Sequence, residues 1–256
     1  MRTRLPLVLA VSAALIAGCS ADDGDDATAA PTTATTTATT TASATPPGGS
    51  DAGGSDAGCP ATDDGIPSGA ATRPTLDVDG DRAADTEWIA SSPAADGSVL
   101  FGVTTASGAT VTADLQSASP VARSILVADV TGDGELVVLA SDGRQVLLYA
   151  YSDCQIVPVQ NPQGEQYAFD LGFTGYGTGV GCLDVDGDGV RDLAGLLVNG
   201  DGTGYTATAV VLDGPRASNS DVSMGVADAG AAAVEAARSI TCGDLTMTDD
   251  GVTTGP

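Results

Sequence analysis

The stretch LDVDGDGVRDL, residues 183–193, places four aspartates within nine positions: Asp184, Asp186, Asp188 and Asp192. Two carboxylates about 4 Å apart repel each other by roughly 4 kcal/mol at an effective dielectric near 20. Oxygens at positions 1, 3, 5 and 9 of such a loop, with a backbone carbonyl at position 7, can converge on one hard cation. The spacing therefore predicts a cation-binding loop rather than a catalytic pair. Calcium is favoured, because magnesium seldom accepts an all-protein cage.

The same pattern begins twice earlier in the chain, at Asp77 and at Asp129. Successive loops start 52 and 55 residues apart, counted from Asp77 to Asp129 and from Asp129 to Asp184. Repeats of this length are typical of propellers and solenoids. The candidate ligands of the first loop are Asp77, Asp79, Asp81 and Asp85.

The middle loop, ADVTGDGELVV, is the weakest of the three. Asp129 and Asp133 keep positions 1 and 5, whereas Thr131 and Val137 take positions 3 and 9. A cation there would lose two carboxylate ligands, so this site is predicted to be weak or empty. None of the loops is predicted to be an EF-hand, because position 12 lacks the required Glu in all three.

Each loop is followed by two strand-like runs, joined by a turn rich in small and polar residues. Further strand candidates between the repeats bring each unit to about four strands, which describes a propeller blade. The predicted fold is therefore all-β, a small or partial β-propeller of about 3–4 repeats of roughly 52–60 residues. A degenerate fourth repeat can start near Asp244, and an open arrangement is the alternative. One short helix is predicted within residues 227–239, capped by Asp228.

The three loops resemble the FG-GAP and VCBS repeats of integrin-type β-propellers, whose signature is D-x-D-G-D-G-x-x-D between strands. LDVDGDGVRDL matches the signature closely, LDVDGDRAADTEW well and ADVTGDGELVV in part, and the repeats cover most of residues 73–215. The resemblance implies that the loops bind calcium as structural clips. It also implies a propeller, although this chain is too short for the usual blade number of about seven.

The N-terminus is predicted to be a lipoprotein signal peptide, residues 1–18. Arg2 and Arg4 precede the apolar run LPLVLAVSAALIAG, which has the length of an export-signal core and is too short to span a bilayer comfortably. The run ends in IAGC, which resembles a bacterial lipobox, so Cys19 is the predicted lipid attachment site. The mature protein is expected on the outer face of the cell membrane, anchored through that lipid.

Two further segments follow Cys19. Residues 19–58 are rich in Thr, Ala, Pro and Gly and are predicted to be a disordered linker. Residues 59–256 have the length of one domain. The four cysteines of this domain are Cys59, Cys154, Cys182 and Cys242. In an exported protein they predict two disulfides, for which three pairings exist. The similar contexts GCLD and TCGD favour Cys182 with Cys242, which leaves Cys59 with Cys154.

Composition excludes several functional classes. The chain has nine basic residues, all Arg, against 34 acidic residues, no His and a net charge of −25. Such a charge repels nucleic-acid phosphates and anionic lipid, so neither nucleic acid nor a membrane surface is an expected partner. Without His, the chain cannot form a Ser-His-Asp or Cys-His catalytic site.

The predicted function is a membrane-tethered, calcium-stabilised binding lipoprotein whose partner is a protein or a glycan of the cell envelope, and not an enzyme. One alternative is a lyase or glycosidase, since glycoside hydrolysis needs only two carboxylates. Another is a purely structural envelope lipoprotein. The run GFTGYGTGVG, residues 172–181, is interpreted as a glycine-rich turn rather than as a ligand loop displaying Phe173 and Tyr176.

Cys19→Ser removes the thiol that would carry the lipid. This variant is expected to leave the membrane fraction and appear in the soluble fraction, as measured by fractionation and immunoblotting. Ser12→Ala, within the apolar run, is the matched control and is expected to stay membrane-bound. Membrane retention of Cys19→Ser at the wild-type level would contradict the lipoprotein assignment.

Overall fold

The computed structural model describes residues 58–254. The predicted signal peptide, the predicted lipid site Cys19 and nearly all of the predicted linker lie outside these residues. Within them the chain is all-β, as predicted, with 16 strands and one short helix. No helix in residues 58–254 has the length and apolar character needed to cross a membrane.

Three antiparallel meanders follow one another along the chain. The first sheet contains β1 (Ala71–Pro74), β2 (Thr86–Ile89), β3 (Val99–Thr104) and β4 (Thr110–Leu115). The second contains β5 (Ser124–Asp129), β6 (Leu136–Ser141), β7 (Gln145–Ser152) and β8 (Gln155–Pro158), with β9 (Ala168–Asp170) also paired to β7. The third contains β10 (Gly179–Leu183), β11 (Asp192–Val198), β12 (Tyr205–Asp213) and β13 (Arg216–Val226). In every sheet the aspartate loop connects the first strand to the second.

The C-terminal part departs from the expected fourth repeat. It contains α1 (Ala231–Ala236), β14 (Thr241–Cys242), β15 (Leu245–Thr246) and β16 (Val252–Thr253). Asp244 lies in the tight turn between β14 and β15, and β16 then pairs with the outer edge of β5. The chain end therefore extends the second sheet. Within the described residues, none of the sheets closes on itself.

The helix is shorter than predicted and lacks the predicted cap. It spans six residues and begins after Gly230, with no side-chain hydrogen bond capping its N-terminus. Asp228 has a positive φ of 51°. The turn at Asp228 and Gly230, where φ is 79°, keeps the preceding residues out of the helix.

The second sheet is buried on both faces. On β6, Val138 and Ala140 pack into a core shared with the first sheet, whereas Val137 and Leu139 pack into a core shared with the third. Side chains of a strand alternate between the two faces, so a strand covered on both sides reads as a continuous apolar run. This burial explains the runs SILVA and LVVLA.

Both disulfides join parts of the chain that are far apart in sequence. Cys59 pairs with Cys154 at a Cα–Cα distance of 5.8 Å, and Cys182 pairs with Cys242 at 4.4 Å. This is the pairing that the sequence contexts favoured. The first bond ties the start of the described chain to the turn after β7, and the second ties β10 to β14.

A buried glutamate joins the first two sheets. Glu87 of β2 is fully buried, and its Oε2 accepts a hydrogen bond from the N–H of Val127 on β5 at 2.8 Å. The short strand β16 pairs with only two residues of β5, Ser124 and Ile125, and does not reach this N–H. Glu87 thus replaces a missing strand partner at a sheet edge. Its other oxygen, Oε1, has no hydrogen-bond partner.

Burial raises the pKa of Glu87 to about 8, and the hydrogen bond from Val127 only partly opposes the shift. The folded protein therefore holds this proton up to about pH 8, whereas the unfolded chain releases it near pH 4.5. More protons are bound in the folded state across this window, so stability falls as pH rises through it.

The free energy of unfolding is expected to fall by up to about 1.4 kcal/mol per pH unit between roughly pH 5 and pH 8. Glu87→Gln keeps the shape and cannot ionise, so this slope should largely disappear. Urea titrations of both proteins at several pH values and a fixed calcium concentration measure how the free energy of unfolding depends on pH. Equal slopes in the wild type and in Glu87→Gln would show that Glu87 does not carry the proton.

Candidate functional site

The three aspartate loops share one backbone arrangement. In the third loop, the carboxylate of Asp184 accepts hydrogen bonds from the N–H groups of Gly187 at 2.7 Å and Gly189 at 3.0 Å. The equivalent donors are Gly80 and Arg82 on Asp77, both at 2.8 Å, and Gly132 and Gly134 on Asp129, at 2.8 and 2.9 Å. The first aspartate of each loop therefore acts as the centre around which the chain curls.

This curl requires left-handed backbone at positions 4 and 6 of the loop. Gly187 and Gly189 have φ values of 84° and 91°, which glycine adopts without steric cost. Arg82 occupies position 6 of the first loop and adopts φ 71° although it has a Cβ atom. The loop geometry is thus kept even where the sequence departs from glycine.

Three carboxylates converge in each of the outer loops. Oxygens of Asp77, Asp79 and Asp85 lie within 4.8 Å of one another, and so do oxygens of Asp184, Asp186 and Asp192. These are positions 1, 3 and 9 of the predicted ligand set. The position-5 aspartates are not part of these groups. Asp81 and Asp188 accept the N–H groups of Ala83 and Val190, each at 2.7 Å, as Asp79 and Asp186 accept the N–H two residues later at 3.3 and 3.1 Å.

Each position-9 aspartate accepts a hydrogen bond from its own loop, and Asp85 accepts another from the N–H of Ala106 at 2.8 Å. Asp85 accepts the N–H of Val78 at 2.7 Å, and Asp192 accepts the N–H of Val185 at 3.0 Å. Asp85 is only 2% exposed. Burial raises the pKa of Asp85 most, hydrogen bonds from Val78 and Ala106 lower it, and the charges of Asp79 and Asp77 raise it further. A divalent cation would relieve that repulsion.

The middle loop closes in a different way. Val137 supplies no carboxylate at position 9, and the N–H of Val130 donates to the carbonyl of Glu135 at 3.0 Å. That carbonyl is position 7, a predicted cation ligand. Arg191 from the third loop also donates to the carbonyls of Asp129 at 3.2 Å and Val130 at 3.0 Å. Within the described residues, no group of three metal-capable side chains forms around Asp129 and Asp133.

A cleft of about 900 Å³ opens where the second and third sheets diverge. On β11, Leu193 packs into the core shared by the two sheets, and on the same strand face Gly195 and Leu197 line the cleft. The opposite wall comes from β9 and from the turn between β6 and β7. The segments 116–119 and 173–177 complete the rim.

The rim segment 173–177 is ordered by one carboxylate. Asp170 accepts hydrogen bonds from the N–H groups of Thr174, Tyr176 and Gly177, at distances from 2.8 to 3.3 Å. Burial acts to raise the pKa of Asp170, but these donors outweigh it and lower the pKa to about 2. The segment is therefore a fixed loop held by a charged acceptor.

This loop displays two aromatic side chains beside the cleft. Phe173 is 66% exposed and Tyr176 is 87% exposed, and the other aromatic residues of the described chain are not exposed. The guanidinium of Arg144 lies 4.7 Å from the centre of the Phe173 ring, a cation–π contact. The interpretation of residues 172–181 as a simple turn is thus incomplete, because the turn also presents an aromatic surface.

The second carboxylate of the cleft, Asp142, also accepts several hydrogen bonds from the fold. Asp142 accepts hydrogen bonds from Ser117 Oγ at 2.6 Å and from the N–H groups of Arg144 and Gln145 at 2.9 and 3.0 Å. Burial acts to raise the pKa of Asp142, and these donors together lower it below its ordinary value. Both carboxylates of the cleft are therefore ionised acceptors committed to the fold.

Comparisons of the chain with protein-family models, curated proteins and solved structures find no match. The FG-GAP and VCBS resemblance therefore still depends on the loop signature alone. Sequence reasoning missed the cleft because its residues come from segments between 116 and 219 that share no motif. The one available signal was the pair of aromatic residues in a glycine-rich run.

Proposed function

We propose that the protein is an exported, lipid-anchored binding module whose repeats are stiffened by calcium and whose ligand occupies the cleft beside Phe173 and Tyr176. The observation that carries the binding role is the exposure of these two rings on an ordered loop. Burying an aromatic side chain contributes about 1.5–3 kcal/mol, so two exposed rings on one rim favour an interaction surface.

The two outer loops support the calcium component. Each brings three carboxylate oxygens together, an all-oxygen set that suits a hard cation. Asp77, Asp79 and Asp85 would hold one ion, and Asp184, Asp186 and Asp192 would hold the other. A bound ion would supply the positive charge that offsets their repulsion, while the loop N–H groups fix the carboxylates in place.

The order of the sheets supports a propeller-like arrangement. Each meander carries its aspartate loop between its first and second strands, and the second sheet is packed between the first and the third. Consecutive meanders packed face to face are the relation between propeller blades. The proposed architecture is an open or partial propeller of three blades.

The cleft favours a binding module over a glycosidase. A general acid for glycoside hydrolysis needs a raised pKa so that it is protonated near neutral pH. Asp142 and Asp170 both have lowered pKa values and accept several hydrogen bonds from the fold. Glu87, whose pKa is raised, does not line this cleft.

Calcium at 5 mM is expected to raise the melting temperature and EGTA to lower it. For a dissociation constant near 0.5 mM, each of the two sites contributes about 1.4 kcal/mol, or roughly 3–5 °C per site for a domain of this size. Asp186→Asn should lose about half of the response to calcium, because one of the two ligand groups is weakened. Differential scanning calorimetry at several calcium concentrations measures the response.

Asp133→Asn is the matched control, since Asp133 occupies a similar loop that lacks the carboxylate group. It is expected to keep the full calcium response. If calcium leaves the melting temperature of the wild type unchanged, the loops are not calcium sites. If Asp133→Asn and Asp186→Asn lose equal responses, the proposed ranking of the loops is wrong.

The binding role predicts that the purified Cys19→Ser protein sediments with a large excess of cell-envelope material, under conditions distinct from the dilute cell lysate in which it stays in the soluble fraction. Replacing both Phe173 and Tyr176 by Ala should reduce the bound fraction at least tenfold, because the two exposed rings are the proposed contact. Val211→Ala removes a comparably exposed apolar side chain outside the cleft and should leave binding unchanged. Equal retention of all three proteins would rule out the cleft as the binding site.

A further inference from the structure

We infer that the ligand of the cleft is an uncharged oligosaccharide, a proposal that rests on the binding role argued above and specifies its ligand. The inference combines four features of the cleft: the two exposed rings, the strand faces that form its floor, a buried hydroxyl without a partner and two carboxylates that already accept several hydrogen bonds from the fold.

The rings match one side of a sugar. A pyranose has an apolar face of C–H groups and an edge of hydroxyl groups, so it packs on an aromatic face and hydrogen-bonds at its rim. Phe173 and Tyr176 are three residues apart on one loop, and the loop is fixed to the neighbouring turn by a hydrogen bond from Leu171 N–H to the Arg144 carbonyl at 3.0 Å. A loop whose backbone is already fixed loses little conformational entropy on binding, which favours its use as a platform for stacking.

The floor of the cleft is a strand face and not a strand edge. Gly195 pairs with Thr208, and Leu197 pairs with Thr206, across the two central strands of the third sheet. Both strands already have partners on each side, so a peptide cannot add to the sheet here as an extra strand. The floor instead offers two threonine hydroxyls beside small and apolar side chains, a surface suited to the hydroxyl groups and C–H groups of a sugar.

A second, independent observation points to a hydrogen-bonding ligand. Ser119 lines the cleft and is only 4% exposed, yet its Oγ has no hydrogen-bond partner. Leaving a buried hydroxyl unpaired costs free energy, and most buried polar groups are paired. The Oγ is shielded from solvent, so a ligand hydroxyl would provide the missing partner once a movement of segment 116–119 exposes it.

The charges of the cleft favour a neutral ligand. Asp142 and Asp170 are saturated by hydrogen bonds from the fold, so they offer little to a cation. Arg144 lies over the Phe173 ring and contributes to lowering the pKa of Asp142. The net charge of −25 opposes the approach of an acidic polymer. An uncharged ligand rich in hydroxyl groups does not need a free carboxylate and is not repelled by the net charge of the protein.

The test is isothermal titration calorimetry of the Cys19→Ser protein with defined probes. The probes are uncharged hexasaccharides of glucose, mannose, galactose and arabinose, together with hexagalacturonic acid and an uncharged eight-residue peptide. At least one neutral hexasaccharide is expected to bind with a dissociation constant below about 1 mM, and the acidic sugar and the peptide should bind at least tenfold more weakly.

Three variants locate the binding, and a fourth, Val211→Ala, is the control. Phe173→Ala and Tyr176→Ala should each weaken binding of that hexasaccharide about tenfold or more, and Val211→Ala should leave it unchanged. Ser119→Ala should weaken binding about fivefold without lowering the melting temperature, because the hydroxyl has no partner within the protein. A purely structural serine would give the opposite pair of results.

Two results overturn the inference. One is the absence of binding by every neutral hexasaccharide, and the other is stronger binding of the acidic sugar or the peptide. In either case, envelope sedimentation that still depends on Phe173 and Tyr176 would leave the binding role intact with a different ligand. Loss of that dependence would remove both proposals.

Discussion

The fold depends on one repeated electrostatic device, an aspartate whose carboxylate gathers two backbone N–H groups. Asp77, Asp129 and Asp184 each perform this role at the start of a loop that connects the first two strands of a sheet. Hydrogen bonds to an ionised acceptor are roughly twice as strong as neutral ones. The device therefore sets the strand connection in all three repeats, including the middle loop, which lacks a full set of cation ligands.

Polar links then join neighbouring repeats. Glu87 of the first sheet accepts the N–H of Val127 in the second, and Arg191 of the third loop donates to two carbonyls at the middle loop. Arg191 brings a positive charge to the loop that has the fewest carboxylates. A fixed guanidinium there and the proposed cations in the outer loops would each place positive charge beside an acidic turn. If the proposed cations bind, the repulsion among the loop carboxylates would be offset by a bound ion in the outer loops and by Arg191 in the middle loop.

The sequence predicted what is local and periodic. The aspartate spacing located the loops, and the apolar runs after them located β6, β7, β11 and β12. It missed β13, whose sequence RASNSDVSMGV is mostly polar, because that strand is defined by its pairing with β12. It also missed the pairing of β16 with β5, which depends on tertiary packing of a segment too short to carry a period. The burial of Glu87 is a consequence of the same missing edge partner.

In the candidate site, too, the features set by local spacing could be predicted and those set by tertiary packing could not. Carboxylate positions 1, 3 and 9 could be inferred from spacing, since a loop of fixed length brings them together. The spacing also predicted position 5, whose aspartates Asp81 and Asp188 lie outside these three-carboxylate groups and accept the N–H groups of Ala83 and Val190. The cleft required the divergence of two sheets, which leaves Gly195 and Leu197 uncovered on a face that is buried at Leu193. A binding surface formed in this way has no sequence motif, because each of its residues is of a type that is ordinary for its own strand or turn.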